Sequence, residues 1–389
     1  MKNILYLTFY FEPDLCAGSF RNTTLIKELA LKAKGKAKIE VITTFPNRYD
    51  TYKVDAKKNE TVENIEIHRI VLPAHQSGMK DQIMSFKEYY FKALRITKNK
   101  KYDLVIASSS RLFTAFLAYK IAVAQKVPLY LDIRDIFYDT MEDVLKNKII
   151  KAFSLPVIKY IEKKTFNYAA HINLISAGFK TYFEQYKRPN YSYFTNGIDQ
   201  IFINNNSVLT ESKLSFKKIV YAGNVGEGQG LEKIIPEAAL RLGTEFQFLI
   251  IGDGSTKERL IEKVNEYNLT NVIMMSPMER KELLKVYEDC DFTFVHLNDY
   301  DAFKKVLPSK IFELACFPQP LIAGVGGYSY KFISENVDNK ILFNPCDVDS
   351  LVTQLKRFIY KKEKRSEFIR KFNRTGINSQ MAETMLQYI

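Results

Sequence analysis

Tryptophan is absent from the 389 residues, and cysteine and histidine number only four each. Cys16, Cys290, Cys316 and Cys346 are scattered, with no CxxC pair and no Cys/His run at metal-ligand spacing. That disfavours both a disulfide framework and a zinc site, so the cysteines read as small apolar residues. His68 and His296 fall within strand-like runs, His171 begins one and His75 is in a loop; a structural role is expected of each. No metal-ligand cluster and no nucleophile triad spacing stands out, and no metal is expected. Uncharged apolar runs of about 18 residues are also missing, which excludes an obvious membrane-crossing helix. The opening residues MKNILYLTFYFEPD read as a buried strand and a loop rather than a secretory leader, so the expected location is the cytoplasm.

What is present fits a folded α/β chain. Hydrophobic residues make up 46% and charged residues 26%, values that leave little room for long disorder. The length suits two domains better than one core. The net charge of +13 is lopsided: residues 1–200 carry 32 Lys/Arg against 20 Asp/Glu, while the rest is nearly balanced. Such a one-sided basic surface points to an anionic partner, or else is simply a lysine-rich solvated surface.

Short β-branched runs alternate with helix-period segments through the first half. Strands are predicted near 3–9, 38–44, 65–71, 103–107, 128–132 and 171–175, with helices near 19–34, 80–99, 111–125, 141–166 and 177–186. The pattern restarts with strands near 217–223, 246–252, 271–276, 291–297, 319–324 and 339–344, the mark of a second doubly wound sheet. The Asn/Ser/Thr-rich segment 195–216 reads as the connection. The expected domains are 1–198 and 199–374, with a final helix over 375–389 returning to the first. Ligands of doubly wound sheets bind beyond the carboxyl ends of the strands, so with two such domains the expected site is a cleft between them.

The loops after strands carry the candidate chemistry. Gly18 and Ser19 precede a helix after the first strand, where a small residue lets amides approach an anion. YAGNVGEGQGLE, with Gly223, Gly226, Gly228 and Gly230, is no GxGxxG fingerprint, which disfavours a dinucleotide, yet it still implies close backbone contact with phosphate or sugar. In GDGS, Gly252 and Gly254 allow a tight turn, and Asp253 either caps the next helix or faces the ligand, capping being the plainer reading. In PSKIFEL, Pro308 and Ser309 start a helix on which Lys310 and Glu313 share a face: a phosphate would meet the helix start and Lys310, a ribose diol Glu313. A plain i,i+3 ion pair is the alternative. Asp132, Arg134 and Asp135 end a strand of the first domain. Asp135 can orient a hydroxyl and Arg134 can touch a phosphate, or the group forms a structural Asp–Arg pair.

The order FEPDLCAGSFR, HINLISAGFK, TNGID, YAGN, IIGDG and PSKIFELACFPQPLIA resembles glycosyltransferase family 4, retaining enzymes of the GT-B fold, over nearly the whole chain. DIRDIF, GNVGEGQGLE and PSK are most similar to its surface-polysaccharide branch, which includes N-acetylfucosaminyltransferases. The resemblance implies two Rossmann-like domains and a UDP-linked, N-acetylated sugar donor. It implies a polyprenyl-diphosphate-linked saccharide acceptor in O-antigen (lipopolysaccharide) or capsule synthesis, and a peripheral place on the inner face of the cell membrane. On the donor side it implies Gly18, Asn224, Glu227, Gln229, Gly252, Asp253, Gly254, Pro277, Met278, Ser309, Lys310 and Glu313; on the acceptor side, Arg21, Asp132, Arg134 and Asp135. Lys310, Asp135 and Arg134 are the catalytic candidates.

Two departures from the family pattern stand out. Lys305 occupies the place of the first acid of the paired-glutamate motif, for which Asp299 or Asp301 are possible substitutes. Asn224 and Gln229 stand where most members carry the diphosphate-binding Arg and Lys, which leaves Lys310 as the main cation for the leaving UDP.

The basic helices 80–101 and 145–166 combine lysines with apolar residues, suited either to an anionic membrane surface or to packing on the sheet. Competing readings are a UDP-sugar 2-epimerase-like enzyme and a polyanion-binding protein; no nucleic-acid motif supports DNA or RNA as the partner.

Overall fold

The computed structural model describes residues 1–47, 55–73, 79–109, 111–145, 147–204 and 215–389, with only the backbone described at 79–82, 143 and 144. His75 and residues 205–214 of the expected connection lie outside the described residues. The chain divides into one unit of Met1–Asn196 with Arg374–Ile389, and a second of Gly197–Asn373.

In the first unit the strands are β1 (Lys2–Thr8), β2 (Ala37–Thr44), β3 (Asn59–Val62), β4 (Ile65–Ile70), β5 (Leu104–Ser109), β6 (Leu129–Ile133), β7 (His171–Leu174) and β8 (Asn190–Ser192). They form one sheet in the order β3-β4-β2-β1-β5-β6-β7-β8, parallel except for the antiparallel β3–β4 edge. The central strands read as apolar runs because both faces are covered: Ile4, Leu5, Tyr6 and Leu7 have no exposed surface. One face is closed by the helix Ala17–Lys32 and by the C-terminal helix Arg374–Leu386, whose Met381, Ala382 and Met385 join Leu25, Ile26 and Leu29 in one core cluster. Asn378 Nδ2 donates to Thr24 Oγ1 at 2.8 Å across the same contact.

The helix predicted over 141–166 is two helices, Phe137–Val144 and Lys148–Tyr168. The break is set by Asn147, whose side chain accepts from the amides of Ile149 and Ile150 and so starts a new helix. Among the described residues no helix is long and apolar enough to cross a membrane.

The second unit contains β9 (Lys217–Ala222), β10 (Phe246–Ile251), β11 (Val272–Met275), β12 (Phe292–His296), β13 (Leu321–Gly324) and β14 (Lys340–Phe343). Its sheet is parallel throughout, in the order β11-β10-β9-β12-β13-β14. Counted from its own first strand this is 3-2-1-4-5-6, the doubly wound order, which reverses direction between β9 and β12.

Candidate functional site

The reversal between β9 and β12 places the second unit's loops. Ladder pairing between these strands covers only Ile219–Phe292 and Val220–Thr293 and stops short of their carboxyl ends. The loops that follow, Gly223–Gly230 and 297–306, meet over that opening. Asn298, 2% exposed, ties them together: its amide donates to Gly228 O at 2.9 Å, its Nδ2 to Glu227 O at 2.8 Å, and its Oδ1 accepts from Lys233 Nζ at 2.9 Å. His296, at the end of β12, fills the opening. Its Nδ1–H donates to Gln229 O at 2.6 Å and its Nε2 accepts from the Cys346 amide at 3.0 Å, which fixes the tautomer. Burial pushes the His296 pKa down to about 4, so the imidazole is neutral near pH 7.

The second glycine loop packs under the first. A Cβ on Gly252 would lie 1.9 Å from Gly223 O, and one on Gly254 2.5 Å from Val225 O. Only glycine lets the two backbones cross so closely, while the Val225 amide donates to Asp253 O at 2.8 Å. Asp253 does not cap the next helix, contrary to the plainer expectation: Thr256 is the N-cap, and the Asp253 carboxylate accepts instead from the Gly254 amide at 2.8 Å. Asn224 and Gln229, at the positions expected to replace a cationic pair, bond to each other at 2.7 Å and brace the loop. Glu227 pairs with Arg259 at 2.5 Å and accepts from Tyr300 Oη at 3.2 Å; the Arg259 bond holds its carboxyl below the usual range.

Lys310 and Glu313 do share one face of the short helix Ser309–Leu314, and they form the i,i+3 ion pair at 3.0 Å. Burial alone would lower the Lys310 pKa, but Glu313 and then Tyr287 outweigh it, and the ammonium stays firmly charged. On β9, burial pushes the Tyr221 pKa up with the Lys310 charge opposing, and the Tyr221 hydroxyl donates to Asn224 O at 2.6 Å at the base of the glycine loop. Asp299 and Asp301 both face the exposed Lys304, at 3.7 and 2.7 Å. Pro277 and Met278 follow β11, Pro277 exposed and Met278 half-buried.

In the first unit the expected acceptor group separates into two layers. Arg21 and Asp132 are entirely buried in a bidentate pair of 3.0 and 2.9 Å. Arg21 also donates to the carbonyls of Thr195 and Phe194, and Asp132 accepts from Ser108 and Asn173. Burial works to raise the Asp132 pKa, yet Arg21 reverses this and holds it below the ordinary carboxylate range. With no surface and every bond spent inside, these two do not stand on the acceptor side; they are a structural pair.

Arg134 and Asp135 form the outer layer. The Arg134 guanidinium lies over the helix start at Gly18, where a Cβ would come within 2.5 Å of Nη1, and its Nε is buried with no hydrogen-bond partner among the described residues. Asp135 is exposed, yet crowding by surrounding protein pushes its carboxyl up to about 6, with Arg134 opposing.

Sequence reading passed over Asn298, Lys233 and the bracing role of His296. Their signal is the run HLND at a strand end together with a lysine three residues past the last loop glycine. It becomes legible only once β9 and β12 are known to be neighbours.

The sequence of residues 204–374 matches the family model described as glycosyl transferases group 1. A stretch of 100 residues is 40% identical to the putative colanic acid biosynthesis glycosyl transferase WcaI of Escherichia coli K12, covering 24% of this chain and 23% of that protein. Among solved structures, sucrose-phosphate synthase of Thermosynechococcus elongatus superposes with a TM-score of 0.70 at 14% identity, over 100% of this chain and 99% of the other. Anabaena HepE in complex with UDP and glucose gives 0.68 at 15%, with both chains fully covered. The lipopolysaccharide outer core galactosyltransferase WaaB gives 0.64 at 14%, over 99% of each chain. At these identities the structures establish the fold alone. The chain thus has the GT-B fold of two Rossmann-like units, and its second unit matches the glycosyl transferases of group 1.

Proposed function

We propose that the chain is a retaining glycosyltransferase that takes an N-acetylated sugar from a UDP-linked donor. The acceptor is a saccharide carried on a polyprenyl diphosphate lipid, in lipopolysaccharide or capsule synthesis at the inner face of the cell membrane. The observation that carries this reading is the braced pair of loops over the β9–β12 reversal, in the unit that matches group 1 glycosyl transferases. HepE, which shares the fold, binds UDP, and WcaI is a putative colanic acid enzyme.

In this reading the diphosphate lies against the part of the Gly223–Gly230 loop whose amides are not spent within it, at Asn224, Gly226, Glu227 and Gly228, and Lys310 supplies the positive charge as UDP leaves. Ser309 lies beside the phosphates, and Glu313 accepts from the ribose hydroxyls and shares Lys310 with the ligand. Pro277 and Met278 border the base. Transfer breaks the bond between the sugar's anomeric carbon and the phosphate oxygen and makes one to the acceptor oxygen. The acceptor proton passes to the leaving phosphate, so the protein needs to orient and neutralise rather than supply a nucleophile. Arg134 faces an acceptor phosphate, and Asp135 orients the acceptor hydroxyl.

The test is thermal shift of the full chain against UDP-, GDP- and dTDP-sugars, since a ligand of the folded state raises the melting temperature by mass action. A selective rise with UDP-sugars is expected. No rise with any nucleotide sugar, or a rise only with the other two classes, would defeat the proposal.

A further inference from the structure

The helix Lys148–Tyr168 turns an apolar stripe toward solvent. Leu155, Ile158, Glu162, Thr165 and Phe166 are buried on its inner side. On the opposite side Ile149, Phe153, Val157 and Tyr160, at spacings of four and three, each expose more than half of their surface, as does Ile150 beside them. A solvated helix normally buries such a face and shows a polar one. Here both sides are apolar along most of the length, and the outer stripe is edged by exposed Lys148, Lys159, Lys163 and Lys164. Lys159 Nζ lies 5.1 Å over the Tyr138 ring, at the mouth of a recess lined by Tyr138, Pro156, Tyr160 and Lys163. The acid on the helix itself, Glu162, is turned inward and takes a hydrogen bond from Tyr182 at 2.5 Å, so its charge is kept off this face.

The other basic helix, Met79–Thr97, is built differently. Tyr89 and Ala93 are fully buried, and its outer side carries Lys87 and Arg95 together with an ion pair of Lys92 and Glu88 at 2.7 Å between Met84 and Phe91. Among its described side chains Ile83, Met84 and Phe91 are exposed on that side, but the Glu88 carboxylate lies there with them, so an acid faces outward.

We propose that the Ile149–Tyr160 stripe of the helix Lys148–Tyr168 is a docking surface for an anionic lipid bilayer. The apolar side chains enter the headgroup boundary and Lys148, Lys159, Lys163 and Lys164 lie against the lipid phosphates. A stripe of large side chains rimmed by lysines is complementary to a surface that is apolar within and negatively charged at its edge. The inference deepens the proposed use of a lipid-linked acceptor, yet docking is read without turnover, so either can fail alone.

The experiment is co-sedimentation of the full chain with vesicles of phosphatidylcholine alone, or with about a third phosphatidylglycerol, at low and high salt. The wild-type chain is expected to bind the anionic vesicles at low salt at least about tenfold more tightly than the neutral ones, and to be released by salt. The triple variant I149S/F153S/V157S is expected to lose binding, and K159E/K163E/K164E to lose the anionic preference, both keeping the wild-type melting temperature because the replaced side chains are exposed. Failure of the wild type to bind anionic vesicles, or equal binding by the serine variant, overturns the proposal. So does a wild-type dimer that the serine variant converts to monomer, which would make this face an interface between copies.

Discussion

Two ion pairs of similar chemistry sit in the two units, and they differ in what surrounds them. Arg21 and Asp132 have no exposed side-chain surface, whereas Lys310 and Glu313 keep 27% and 11%. The inner pair is bidentate, supported on every side by carbonyls, a serine and an asparagine, and fastens the helix Ala17–Lys32 to β6 and to the chain leaving β8. The outer pair joins two residues of one six-residue helix. A charge whose partners are all internal serves the fold, and one that keeps a face open can exchange its partner for a ligand. Spacing and residue type do not separate the two cases; burial does.

The contrast can be broken by substitution, and the largest effect is expected in the core. Arg21→Ala leaves Asp132 charged without its partner and should cost about 3–5 kcal/mol of stability, enough to unfold the first unit or empty the soluble fraction. Chemical denaturation followed by circular dichroism measures it, and R21M/D132L should recover much of the loss.

Lys310→Ala is expected to do the reverse. Turnover should fall by about two to three orders of magnitude, while stability drops by less than in Arg21→Ala because Lys310 keeps 27% of its side-chain surface in water. Transfer of a radiolabelled sugar beside a melting curve separates the two quantities.

Asp135→Asn probes the outer layer of the first unit. With a carboxyl pKa near 6, kcat/KM of the wild-type enzyme should decline as pH falls through about 6, when the carboxylate becomes protonated. The variant should lose that acid limb and about tenfold or more of its rate at neutral pH. An unchanged pH profile would remove Asp135 from the acceptor side.

The smallest effect belongs to His296. Its folded pKa, near 4, is depressed from 6.5, so the unfolded chain binds the proton more readily. The stability this neutral ring contributes is present above about pH 6.5 and is lost as pH falls toward 4. The melting-temperature difference between wild type and His296→Gln should therefore shrink over that window. A constant difference would mean that the ring is already charged or is not bracing the loop.

Most of the sheet framework was legible because parallel central strands are apolar on both faces. All six strands of the second unit, and β1, β2, β4, β5, β6 and β7 of the first, lie where the apolar runs predict. The two missed strands are edges: β3 is NETV, half polar and paired on one side only, and β8 is three residues long. Neither carries the hydrophobic signal of a strand buried on both faces. The fusion of two helices into one followed from the unbroken apolar period across 141–166, which hides a local stop made by the Asn147 side chain.

Candidate site residues were legible as positions, since glycines after a strand and a Lys/Glu pair at helical spacing are visible in one dimension. Their partners were not. That Asn224 braces Gln229 depends on how one loop folds back on itself, and that Asn298 ties two loops and Asp132 faces inward to Arg21 depends on which elements are neighbours. Asp132 and Asp135 are three residues apart, and the strand end between them turns one into the core and the other outward.

The central claim is that the second unit holds a uridine diphosphate and that Lys310 is the cation exchanged between Glu313 and the ligand. Calorimetric titration of UDP into the full chain, wild type and Lys310→Ala, at low salt tests it most directly. The account predicts saturable one-site binding by the wild type and an affinity at least about tenfold weaker in the variant, with both proteins folded at the titration temperature. Equal affinity in the two proteins, or no binding of UDP by either, would contradict it.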